Sequence, residues 1–89
     1  PALLPKPRLK VAGKKRLETD RNILTLRGKS FDSTRVEERT TPDKFRMAKG
    51  VRSWTFRARL KPGRNRIQVR SVNAADATSI PSLILAFRR

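Results

Sequence analysis

The stretch Trp54-Thr55-Phe56-Arg57-Ala58-Arg59-Leu60-Lys61-Pro62-Gly63-Arg64-Asn65-Arg66-Ile67-Gln68-Val69-Arg70-Ser71 decides the fold. Trp54, Phe56, Ala58 and Leu60 alternate with Thr55, Arg57 and Arg59. Successive side chains of an extended strand point to opposite faces, so this run makes a half-buried strand. A helix would need apolar residues three and four apart. Lys61-Pro62-Gly63-Arg64 is turn chemistry, proline presetting φ and glycine supplying the unusual backbone angle. A second alternation follows, with Ile67 and Val69 inward and Arg66, Gln68 and Arg70 outward.

Working outward, the same period recurs. Asn22 to Leu26 is strand-like, with Leu24 and Leu26 on one face, and Phe31-Asp32-Ser33 closes that region with turn residues. Thr34 to Thr41 contains Val36 but places Glu38 and Thr40 on the same alternating face, as in an edge strand or a partly solvated face. Pro42-Asp43 is a turn, and Phe45 and Met47 mark a short strand before Lys49-Gly50. Asn73 to Ser79 is a loop of small and polar residues, after which Leu83, Leu85 and Phe87 form the last inward set. Toward the N-terminus a first strand covers Arg8 to Ala12, and Gly13-Lys14-Lys15-Arg16 interrupts the pattern. Short strands at regular spacing with no helical period specify an all-β, antiparallel two-sheet sandwich of about seven strands.

The chain has 89 residues, enough for one small domain. Pro1 to Pro7 holds three prolines and reads as a linker or extended arm, leaving residues 8–89 as a single sandwich domain. The chain starts at Pro1 without methionine, which fits a domain cut from a longer protein. The longest apolar run, Leu83 to Phe87, is far too short to span a membrane. There is no cysteine and no histidine, so thiolate chemistry, imidazole bases and most zinc sites are excluded.

The Trp54–Ser71 stretch resembles the region of fibronectin type III and bacterial Ig-like modules where the chain crosses between sheets. Those families mark the crossover with a leucine, a Pro-Gly turn and an alternating strand. Fibronectin modules put a tyrosine where Ile67 stands, whereas Asn65 and Ile67 match the Asn-x-Ile pattern of bacterial Ig-like modules. Val72 to Ser79 is similar to their following loop, and Leu24-Thr25-Leu26-Arg27-Gly28-Lys29-Ser30-Phe31-Asp32 to their second strand. The resemblance covers about residues 22 to 87 and departs from the pattern at Glu38 and Thr40. It implies a structural or adhesive module of a larger secreted or cell-surface bacterial protein. Its partners would be other domains or neighbouring copies, and it brings across no catalytic residue and no cofactor.

The candidate sites are few. Trp54 shares a face with Phe56 and Leu60, so it belongs in the core rather than on a sugar-stacking surface. Asp32, Glu37, Glu38 and Asp43 match no calcium-loop spacing and have Lys and Arg neighbours. The conspicuous feature is charge: 23 Lys and Arg against seven Asp and Glu, a net charge of +16. Such a surface attracts nucleic acid or acidic polysaccharide. The candidate polyanion contacts are Arg57, Arg59, Arg66 and Arg70, on the solvent sides of the two best strands. Because the crossover changes sheets, the two pairs belong on different outer faces, a spread charge rather than a groove, and no base-stacking aromatics are interleaved with them. Self-assembly through sheet edges is a third expectation, with Ile84 and Ala86 on the presumed outer face of the last strand.

Without His, Cys or convergent carboxylates, the domain is expected to turn over no ester, phosphate or glycoside above background. Hydrolysis that a single substitution at Glu37, Glu38 or Asp43 abolished would overturn this.

Overall fold

A computed structural model describes residues 4–89. The chain forms eight strands: β1 (Arg8–Val11), β2 (Arg16–Thr19), β3 (Ile23–Phe31), β4 (Arg35–Thr40), β5 (Arg46–Met47), β6 (Ser53–Arg59), β7 (Gly63–Val72) and β8 (Ser82–Arg88). They make two sheets, a three-stranded one in the order β1-β3-β6 and a five-stranded one in the order β2-β8-β7-β4-β5. All pairings are antiparallel except β2 with β8. The expected sandwich is therefore present. The alternating runs around Trp54 and Ile67 lie in opposite sheets, as a crossover between them requires.

The core is Leu26, Trp54, Ala58 and Leu60 from the three-stranded side, closed by Val36, Ile67, Val69, Ile84 and Ala86 from the other. Leu24 and Phe56 pack against it half-buried. Trp54 lies opposite Gly28 in the β3–β6 register. Any side chain at position 28 would run into the Trp54 ring and the Lys10 carbonyl. Glycine is needed there because two backbones and an indole meet with no room for a Cβ.

Asn65 explains the sheet crossover. Its side chain is buried, accepts a bond from the Lys61 amide (2.9 Å) and donates to the carbonyls of Lys61 (2.9 Å), Gly63 (3.1 Å) and Ala86 (3.3 Å). One amide thus fastens the Lys61–Gly63 turn to β8, and Gly63 takes the turn's positive φ of 90°.

Three sequence expectations change. The last strand is turned over: Ile84 and Ala86 are buried, while Leu83 (37%) and Phe87 (43%) are exposed. The β7–β8 register puts Ile84 opposite Ile67 and Ala86 opposite Asn65, both core residues, so Leu85 faces outward opposite Arg66. A strand apolar on both faces gives periodicity nothing to choose between. Second, Arg16–Thr19 is a strand, held parallel against β8, where only a pattern break was expected. Third, β4 is an interior strand between β7 and β5, and it points Val36 and Glu38 into the sandwich.

Glu38 is fully buried, and neither carboxylate oxygen has a hydrogen-bond partner among the described residues. Arg46, its β5 neighbour, approaches only to 3.7 Å and lies over the Phe56 ring at 5.3 Å. Burial raises the carboxyl from 4.5 to about 7, the Arg46 charge opposing this in part.

Two outcomes follow. Trp54→Ala should cost ~3–5 kcal/mol, as large aromatic truncations do; an unchanged melting temperature would contradict the core assignment. A raised carboxyl binds its proton more tightly in the folded state. Its contribution to stability is therefore fully present below pH 4.5 and is lost as pH rises to about 7. The loss is on the order of 3 kcal/mol. Glu38→Gln should flatten that dependence and melt higher than the parent at pH 8, measured by thermal unfolding at pH 5 and pH 8. A parent more stable at pH 8 than the variant would refute it.

Candidate polyanion-binding faces

Strand alternation sends each sheet's basic side chains outward, and pairing decides which are neutralised. On the three-stranded sheet, Arg57 and Arg59 of β6 are exposed beside Arg27 and Lys29 of β3 and Lys10 of β1. Lys10 stands directly opposite Lys29 in the register. Like charges placed so are destabilising unless something anionic screens them. None of these five side chains makes an ion pair among the described residues; Lys29 Nζ donates to Ser53 Oγ at 2.7 Å.

The five-stranded sheet differs. Arg70 donates to Glu37 Oε1 through Nε (3.0 Å) and brings Nη2 within 2.9 Å of the same oxygen as an ion pair, and Arg35 bonds Glu37 Oε2 (3.2 Å) and Asp76 (3.2 Å). Those two carboxylates hold the Arg35 guanidinium pKa above its usual value. Arg39 Nε donates to Gln68 Oε1 at 2.6 Å. The guanidinium groups of Arg70 and Arg39 lie over the Phe45 ring, at 3.7 and 4.8 Å from its centroid. Arg66, farther along β7, is exposed and makes no ion pair among the described residues.

The four arginines singled out in the sequence are thus divided. Arg57 and Arg59 share one bare cationic face, Arg66 stands free on the other, and Arg70 is held by Glu37 and Phe45. Lys10, Arg27 and Lys29 were missed. Leu24 and Leu26 already set Arg27 on the opposite, outward face, but only the pairing brings it and the two lysines beside Arg57. Aromatics do lie among the cations: Phe31 sits beneath Arg8 (5.1 Å) and Arg52 (6.0 Å), as Phe45 does beneath its pair. Those ring faces are occupied by guanidinium groups, so they offer phosphate-directed rather than base-stacking chemistry.

Glu37 and Glu38 point to opposite sides of β4, and among the described residues no three His, Cys, Asp or Glu side chains cluster as metal ligands. Among the same residues no helix is long and apolar enough to cross a membrane.

No protein-family model matches the sequence, and no curated protein is significantly similar to it. Among solved structures the chain is similar to the fibronectin(III)-like modules of Clostridium thermocellum CbhA. The TM-score is 0.70 at 17% identity, over 92% of this chain and 96% of the other. With strand order, crossover and Asn65-fastened turn in place, that likeness fixes the architecture: the chain has the fibronectin type III-like fold.

Proposed function

We propose that this chain is a non-catalytic structural module of a larger secreted or cell-surface bacterial protein, packing against other domains or neighbouring copies. The observation that carries the reading is the placement of the first and last strands. Arg8 opens β1 opposite Phe31, and the Pro5 carbonyl accepts a bond from Asn73, all at one end of the sandwich. Arg88 closes β8 opposite Gly63, and its Nη1 donates to the Leu60 carbonyl at the other end. A sandwich whose first strand opens at one end and whose last strand closes at the other can be strung between neighbours without the chain doubling back. The fibronectin(III)-like modules of CbhA, with the same architecture, support the multidomain setting.

A second reading, a polyanion-binding domain, is favoured by the unpaired face of Lys10, Arg27, Lys29, Arg57 and Arg59. Like charges kept opposite one another cost stability, and an anionic polymer would relieve it.

Titration with single-stranded DNA, duplex RNA and heparin at two salt concentrations separates the readings. A structural module should bind all three alike, with dissociation constants around 10⁻⁴ to 10⁻⁶ M, and lose them steeply as salt rises. Arg57, Arg59 and Arg66 should each contribute a little, and Arg70, already paired, less. Nanomolar binding of one polymer at the higher salt, abolished by replacing Lys10, Lys29 and Arg57 together, would instead establish the second reading.

A further inference from the structure

The turned-over last strand leaves an apolar strip on the outside of the five-stranded sheet. Leu83, Leu85 and Phe87 stand at successive outward positions of β8, spanning roughly 13 Å at the usual strand rise. On one side the register sets Arg66 opposite Leu85 and Arg64 opposite Phe87; on the other, Arg16 lies opposite Leu85. Together with Lys14 these side chains wall an open groove of about 760 Å³. Among the described residues the one acid lining it is Glu18, which lies 3.8 Å from Arg89 and is partly neutralised.

We propose that this groove is a docking site for a partner protein segment that is amphipathic and acidic: a short helix laying an apolar stripe along Leu83, Leu85 and Phe87, with carboxylates reaching Arg16, Arg64 and Arg66. Strand addition is excluded here because both edges of β8 are paired, so recognition must use side chains. Two turns of helix match the length of the strip. The basic walls select an acidic partner at this groove, and the equally basic surface of a second copy fits it poorly. Two leucines beside a single phenylalanine suit aliphatic packing better than sugar stacking. Asn65, the buried polar residue lining the groove, has its side chain committed to Lys61, Gly63 and Ala86, so it is not free to orient a small ligand.

The probe is a glutamate-rich helical peptide of about four turns with one leucine stripe at i, i+3, i+4 and i+7 spacing. Its control is a scrambled peptide of equal composition. Nuclear magnetic resonance of the labelled domain should show shifts centred on Leu83, Leu85, Phe87, Arg64 and Arg66. The scramble should bind about tenfold more weakly, because charge survives and the stripe does not. Leu85→Asp should abolish the shifts. The exposed pair Arg64→Glu and Arg66→Glu, which leaves the apolar strip intact, should weaken binding by about tenfold or more. Equal binding of the scramble, or shifts centred on Lys10 and Arg57, would reduce the site to nonspecific charge and overturn the proposal. Protection of the same face by phosphatidylglycerol vesicles with no response to the peptide would assign it to a membrane surface instead.

Discussion

The contact between Trp54 and Gly28 constrains the rest of the sandwich. Trp54 is the largest buried side chain, and its ring reaches into the space that a Cβ at position 28 would occupy. That pairing fixes the register of β3 against β6, and the Lys10 carbonyl beyond it fixes how closely β1 can lie. Because alternation has period two, a slip of one residue would send Arg57 and Arg59 inward and Trp54 to solvent. The outward cationic face and the buried indole are therefore consequences of one geometric condition. Asn65 does the corresponding work at the other sheet, since its four bonds fasten the crossover turn to β8 and align Ile67 with Ile84.

Glu38 is the cost carried inside this frame. A carboxylate in the core without hydrogen-bond partners is tolerated because it can take up a proton, and Arg46 over Phe56 places a positive charge at the rim of its chamber. The domain is consequently less stable when that group ionises. In a small sandwich with few buried apolar residues, such a term is a sizeable share of the whole margin.

Legibility in the sequence followed the strictness of alternation. Trp54 to Leu60 and Ile67 to Val69 are apolar on one face and charged on the other, so strand and orientation were both readable. Leu83 to Phe87 is apolar on both faces. The strand was readable there, but which side faced inward was decided by the register against Ile67 and Asn65. Arg16–Thr19 holds one apolar residue, Leu17, and becomes a strand only because β8 offers it a parallel edge. For the candidate faces, sequence separated Arg57 and Arg59 from Arg66 and Arg70 correctly. It could not show that Glu37 would hold Arg70, or that Lys10 and Lys29 would meet across two strands.

The distribution of the few acids decides what each face can do. Among the described residues, Glu37, Glu38, Asp76 and Glu18 form their ion pairs on or beside the five-stranded sheet, and only Asp32, paired with Arg8, serves the three-stranded one. The smaller sheet is left with bare charge and no exposed apolar strip, so whatever it attracts is held by counterion release and is lost in salt. The larger sheet combines partly neutralised arginines with Leu83, Leu85 and Phe87, where burial of apolar area adds a component that salt does not screen. The two faces thus differ in kind, bare charge on one side and charge flanking an apolar strip on the other.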